Sequence, residues 1–466
     1  MTQTKQTQSY LVPFIIMVVL MSLVGLITNL NQQFQGPMQA AYLLMGGSMT
    51  NFLTTALTFA FFLAYLVMGA PSARYIENNG YKKTLTLGLV ILICAFGFYE
   101  LSAYVFETQD LPNFQGAIDE AKSILAQKEA GIPAMQELAA QTGNFSVTLL
   151  EKTGEFKGLL YTKGTVIPTA YWIFLFAAFV AGSALTFLQA VINPYIAACS
   201  VNGTTPVTRS SIAGSGNSSM TTIGPLLVAF LIFGGKSGLD ISLTSLYIPF
   251  LVLIVLVAGI IVALGKLELP TIASTEKKEG EVLEKSVWSF SHLTLGVIAI
   301  FMYVGVEVAV GANINLYAQD LGIASGTAAK MASFYWGGML VGRLFGSILS
   351  KVSANTQLAV ASIGAGVLVL AGMLLDNPWI FVGAGLFHSI MWGAIFALAI
   401  EKLGKYTSAG SGALMMGVVG GAVLPLLQGV LADSLGAWQW TWLIVVLGEV
   451  YLLYYALVGY KVKQLP

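Results

Sequence analysis

Twelve stretches of about 20 predominantly apolar residues recur along this chain, and they constrain its fold more than any other feature. They lie near 10–35, 50–71, 84–106, 168–199, 208–233 and 242–265, then near 293–318, 328–350, 356–375, 378–401, 407–432 and 437–460. At 1.5 Å rise per residue, each is long enough to cross a hydrocarbon core of about 30 Å. Lipid offers no partner to backbone N–H and C=O groups, so each stretch is predicted to be an α-helix that satisfies them internally. Composition agrees: 56% of the 466 residues are hydrophobic and 9% are charged, against about 25% charged in an ordinary soluble domain. The first run, from Tyr10 to Leu30, is read as a membrane helix, because no small-x-small cleavage pattern follows it.

The same composition excludes several classes of function. A formal net charge of zero gives no basic surface for nucleic acid. Two cysteines, Cys94 and Cys199, and two histidines, His292 and His388, supply neither a disulfide framework nor a common metal motif. No Ser–His set or mid-membrane His/Asp pair stands out, so the chain is not expected to be an enzyme, and no metal or cofactor is expected beyond a coupling cation.

Between the two sets of six lies a polar segment, Lys266 to Trp288, containing E-K-K-E-G-E-V-L-E-K. It divides the chain into an N-terminal six-helix bundle over 1–265, a linker over 266–290 and a C-terminal six-helix bundle over 291–466. A-G-S-G occurs at 213–216 and again at 409–412, each opening a span that later contains P-L-L, at 225–227 and 425–427. This pairs helix 5 with helix 11, as duplication of a six-helix unit requires. Lys82, Lys83, Arg209, Lys266, Arg343 and Lys402 fall in one set of loops, while the other short loops hold only Lys236 and Lys330. The positive-inside rule then puts both termini in the cytoplasm. An outer insertion, 107–166, separates helices 3 and 4. Its A-I-D-E-A-K-S-I-L-A-Q-K-E-A and P-A-M-Q-E-L-A-A-Q segments read as a small helical cap.

Polar residues inside the spans point to function. Thr186, Gln189 and Asn193 share one face of helix 4, which Pro194 then disturbs, and Asn217 and Thr221 share a face of helix 5. Helix 1 ends in Asn29, Asn31, Gln32, Gln33 and Gln35. Each amide offers two donors and two acceptor lone pairs, a set suited to vicinal hydroxyls without net charge. His388 and Trp392, four apart on helix 10, suit the apolar face of a sugar ring. Glu307 lies midway along helix 7, where a charge costs about 2.5–3.5 kcal/mol. With Asn313 and the backbone near Gly311 it makes a hard-cation set for Na⁺, or alone a proton carrier. Glu77 and Glu401 are expected to pair with Arg74, Arg343 or Lys402 at an inner gate. Glu100, Asp376 and Asp433 read as solvated helix ends.

Taken in order, several of these stretches resemble the fucose:proton symporter family of sugar porters, within the major facilitator superfamily. They are Asn29-Leu30-Asn31, Asn193-Pro194-Tyr195, Tyr303-Val304-Gly305-Val306-Glu307, Val341-Gly342-Arg343, and Ile395 to Ile400 followed by Leu403-Gly404. The resemblance implies an all-α integral membrane fold of twelve transmembrane helices in two pseudo-symmetric bundles. It also implies a monomer in the bacterial cytoplasmic membrane that imports a neutral saccharide by Na⁺ or H⁺ symport. A facilitative uniporter or a sensor derived from a transporter remains as an alternative. Gly69, Arg74 and Gly80-Tyr81-Lys82-Lys83 occupy the place of the superfamily's gate motif between helices 2 and 3, without its Asp. Two departures matter. Where the family carries an Asp after N-L-N and a Glu four residues before N-P, this chain has Gln32 and Gln189, and neither titrates.

Overall fold

The computed structural model describes residues 10–41, 50–113, 139–142, 145–152, 155–161, 167–199, 201–202, 204, 206–236, 241–267, 269, 285–345 and 352–462. Among them ten helices are long and apolar enough to cross a membrane: α1 Leu11–Gln39, α2 Thr50–Ile76, α3 Asn78–Asp110, α4 Thr169–Ile196, α6 Leu243–Lys266, α7 Ser291–Asp320, α9 Ala354–Leu374, α10 Pro378–Ala399, α11 Gly410–Leu435 and α12 Gln439–Gly459. Two more, α5 Pro206–Leu226 and α8 Ser325–Phe345, complete the twelve. They fall short of that apolarity because Ser, Thr, Gly and Asn interrupt them. Much of the linker and the A-I-D-E-A-K segment lie outside the described residues.

Close backbone approach holds the bundle together. A Cβ on Gly182 of α4 would collide with the Phe61 carbonyl of α2, and one on Gly420 of α11 with the Phe301 carbonyl of α7. Small residues at such crossings let dispersion contacts replace a hydrophobic drive that lipid does not provide. Phe34 gathers Phe174, Phe233 and Phe250 at centroid distances of 5.9–6.4 Å, tying α1, α4 and α6 together.

Helix ends are capped by distant acids. The Asp110 carboxylate accepts from the Thr169 and Ala170 N–H groups at 3.2 and 2.9 Å, satisfying orphan donors at the start of α4. Arg209, buried at the start of α5, donates to the Ile196 carbonyl at 2.9 Å, and Lys82 donates to the Gly265 and Leu267 carbonyls at 2.9 and 2.8 Å. Both place a cation at a helix C-terminus. Gly80, near the start of α3, kinks the chain where α2 gives way to α3 at φ +76°, a region that favours glycine.

Helix α4 continues past Pro194 to Ala198, within the span read from the sequence. Two features depart from that reading. P-L-L at 225–227 is followed by a wide π turn over Leu227–Ile232, whereas the matching α11 carries a 3₁₀ turn over Gly417–Val419. The insertion is not a helical cap throughout. Three strands, β1 Ala139–Thr142, β2 Phe145–Lys152 and β3 Glu155–Tyr161, form an antiparallel sheet, with Thr142 opposite Phe145 and Lys152 opposite Glu155.

Candidate functional site

Midway along the bundle, Glu307 of α7 meets Arg343 of α8. Their side chains stand 3.9 Å apart and are 14% and 29% exposed. The second Arg343 nitrogen donates to Ser218 Oγ of α5 at 2.6 Å, so one guanidinium serves both halves of the chain. Tyr303 lies one turn before Glu307 on α7, its hydroxyl buried with no hydrogen-bond partner among the described residues. Its ring lies 6.2 Å from that of Trp392, which is half-buried. On the N-terminal half, Gln189 donates to the Tyr65 hydroxyl at 3.1 Å, and Tyr65 stacks on Phe62 at 5.9 Å. Asn217 donates to the Met21 carbonyl at 3.1 Å and is half-buried. Asn193, one turn beyond Gln189, is exposed.

Other residues singled out in the sequence stand elsewhere. Asn29, Gln32 and Gln33 are 0%, 1% and 3% exposed, sealed toward the end of the bundle that bears the insertion. There Gln33 donates to the Gly311 carbonyl at 3.1 Å and accepts from Asn315, clasping α1 to α7. Asn29 packs against Gly224 of α5. At the same end the Asp433 carboxylate of α11 accepts from the Asn51 and Phe52 N–H groups of α2 at 2.9 and 2.8 Å. Trp438 donates to the Asn51 side chain at 3.1 Å, and Ser333 of α8 donates to the Thr222 carbonyl of α5 at 2.5 Å. Asp433 is therefore a cap across the halves rather than a solvated end. Asp376 is exposed, as a solvated helix end would be, and accepts from Tyr317 of its own half at 2.9 Å.

The backbone opening expected for a Na⁺ set near Glu307 is absent. Helix α7 runs unbroken through Gly311, whose Cβ side is filled by Trp336. The Gly311 carbonyl accepts from Gln33, and the Asn313 amide donates to Gln428 at 2.9 Å while its oxygen is buried with no partner among the described residues. His388 does not face a solute either. It is fully buried, with Nδ1 2.6 Å from the Tyr335 hydroxyl and Nε2 2.8 Å from Glu449 Oε1. Both ring nitrogens are engaged within the protein.

Comparison with known proteins follows the same lines. No family model matches the chain. A glucose/galactose transporter of Brucella abortus is 33% identical over 308 residues, covering 63% of this chain and 74% of that one. The chain belongs to the fucose:proton symporter-like family of the major facilitator superfamily. The L-fucose-proton symporter of Escherichia coli is 24% identical over 446 residues, 92% of this chain and 89% of the relative. A solved structure of the E. coli fucose:proton symporter has a TM-score of 0.60 at 19% identity, covering 96% of this chain and 98% of that chain, which shows the shared fold. The protein is a multi-pass membrane member of a transporter family and not an enzyme.

The expected gate pairs differ in detail. Arg343 turns to Glu307 and Ser218 and not to an acid at a helix end. Arg74 is exposed and forms no ion pair with a described residue, while the Glu77 side chain lies outside what is described. Glu401 is exposed, and its carbonyl meets His292 at 2.9 Å. Sequence reasoning missed Asp433 and the Tyr335–His388–Glu449 chain. The only signal for the latter was that Glu449 is an acid well inside an apolar span.

Proposed function

We propose that this protein imports a neutral saccharide together with a proton, by alternating access. The observation that carries the reading is the Glu307–Arg343 pair at 3.9 Å, with Arg343 also bonded across the halves to Ser218 at 2.6 Å. An ionised Glu307 holds the guanidinium; a protonated one releases it to the other half. Na⁺ beside that guanidinium would meet like charge within the reach where it costs most, which favours a proton as the coupled ion.

The solute path runs between Gln189, Tyr65 and Asn217 on one side and Trp392 on the other. Amides and a hydroxyl would bond sugar hydroxyls, and the Trp392 ring would cover the apolar face of a pyranose. Relatives named for glucose, galactose and L-fucose support a monosaccharide. Basic residues along the linker end support a cytoplasmic location for that end and for both termini. In that orientation the Gln33, Asp433 and Ser333 contacts close the outer side. The protein would act as a monomer in a bacterial cytoplasmic membrane.

A thermal-shift panel of sugars, with and without Na⁺ at two pH values, tests this reading through ligand-linked stabilisation. A monosaccharide should stabilise the protein, more so at the lower pH and irrespective of Na⁺. Stabilisation that requires Na⁺ would replace the proton, and stabilisation independent of both would favour a uniporter. Binding without accumulation in proteoliposomes would leave a sensor.

A further inference from the structure

Behind Glu307, away from the proposed sugar path, four groups on four helices form one hydrogen-bonded chain. The Glu307 carbonyl of α7 accepts from the Tyr335 hydroxyl of α8 at 3.1 Å. That hydroxyl lies 2.6 Å from His388 Nδ1 of α10, and His388 Nε2 lies 2.8 Å from Glu449 Oε1 of α12. Tyr335 and His388 are 0% exposed and Glu449 is 2% exposed. The second Glu449 oxygen is buried with no partner among the described residues, so the imidazole is what stabilises this carboxyl.

Counting hydrogens limits the states this chain can hold. The carbonyl can only accept, so its bond uses the single tyrosine hydrogen. The Tyr335–His388 link then needs a hydrogen on Nδ1, and the His388–Glu449 link needs one more, held on either Nε2 or the carboxyl. All three links are therefore made only when the His388–Glu449 pair carries two hydrogens and is neutral overall. If one proton leaves, the remaining ring hydrogen goes to the ionised carboxylate and Nδ1 becomes an acceptor. The tyrosine hydrogen then turns to Nδ1, and the Glu307 carbonyl loses its bond.

We propose that His388 and Glu449 form a second proton-binding site, separate from the Glu307 carboxyl, whose occupancy is transmitted to α7 through the Tyr335 hydroxyl. The turn it acts on runs from Glu307 to Gly311. Trp336, next to Tyr335 on α8, packs against Gly311, and the Gly311 carbonyl receives Gln33 in the clasp of α1 to α7. Loading the pair with a proton secures this turn and with it the clasp; losing the proton frees one bond of the turn. Tyr335 of α8 bonds His388 directly, Glu307 of α7 is the carboxyl near His388, and Tyr303 of α7 and Arg343 of α8 lie near Tyr335. From α9 the group packed against Glu449 is Gly366, which carries no charge. This inference rests on the transport reading above, and its test separates the two.

The test is the pH profile of sugar counterflow in proteoliposomes, read for wild type, Glu449→Gln, Tyr335→Phe and Glu307→Gln. Glutamine at 449 can still donate or accept toward His388 but cannot take up a proton. Glu449→Gln should lose one limb of the wild-type profile while keeping uphill sugar accumulation driven by a pH gradient. Tyr335→Phe should lose the same limb, since it cuts the link and leaves the pair in place. A wild-type profile in either variant, with sugar binding retained, overturns the proposal. Should Glu449→Gln fail to fold, Tyr335→Phe decides alone. Retained uphill accumulation in Glu307→Gln would instead overturn the coupling role of Glu307, whatever the other two variants do.

Discussion

Arg343 stands 3.9 Å from the carboxyl of Glu307 on its own half and 2.6 Å from Ser218 Oγ on the other. A guanidinium has five donors in a fixed fork, so it can bridge both partners at once, and a lysine could not hold the same geometry. The pair is partly exposed, so the coupling across it is worth less than that of a fully buried pair. That suits the proposed mechanism, in which this contact breaks once per transport cycle.

Removing the cap on α2 should loosen the insertion end. Asp433→Ala leaves the Asn51 and Phe52 N–H groups without the carboxylate, a loss of about 1 kcal/mol by comparison with other N-caps. A lower melting temperature, together with faster labelling of single cysteines placed near that end, is the expected result. Unchanged labelling would mean that the Asp433 contact does not help close the bundle.

Gln33 and Asn315 should be energetically coupled. A double-mutant cycle with Gln33→Ala and Asn315→Ala, read by thermal or denaturant unfolding in detergent, should give an interaction of about 0.5–1.5 kcal/mol. Additive effects would show that the α1–α7 clasp carries no net energy.

Glycines at the tightest crossings should tolerate no side chain. Gly420→Ala places a methyl against the Phe301 carbonyl, and overpacking of this kind costs about 1–3 kcal/mol. Gly412→Ala, where nothing lies within 4 Å, is the control and should leave the melting temperature unchanged.

Membrane helices were legible in the sequence because lipid imposes a length and an apolarity on each crossing. Even α5, more polar than the rest, was placed as an apolar stretch near 208–233, and its A-G-S-G and P-L-L repeat paired it with helix 11. Side-chain partners were not legible where they depend on packing between distant segments. Asp433 meets residues 382 and 381 positions away, and no local pattern marks that. His388 was read as facing a sugar from its i, i+4 spacing to Trp392, but two residues four apart on a helix diverge by about 40°, enough for one to turn inward. The β-sheet of the insertion did leave a signal that was outweighed by the Ala- and Glu-rich segments before it. Phe145 to Leu150 is rich in β-favouring residues, and Gly143-Asn144 separates the paired ends of β1 and β2.

The central claim, that Glu307 carries the coupled proton, is tested most directly by Glu307→Gln in proteoliposomes, with uphill uptake and counterflow measured side by side. Neutral glutamine keeps the shape of the side chain but can neither hold Arg343 by charge nor exchange a proton. Accumulation driven by a proton gradient should be abolished while counterflow remains partly intact. Accumulation and counterflow both at wild-type levels would contradict the account.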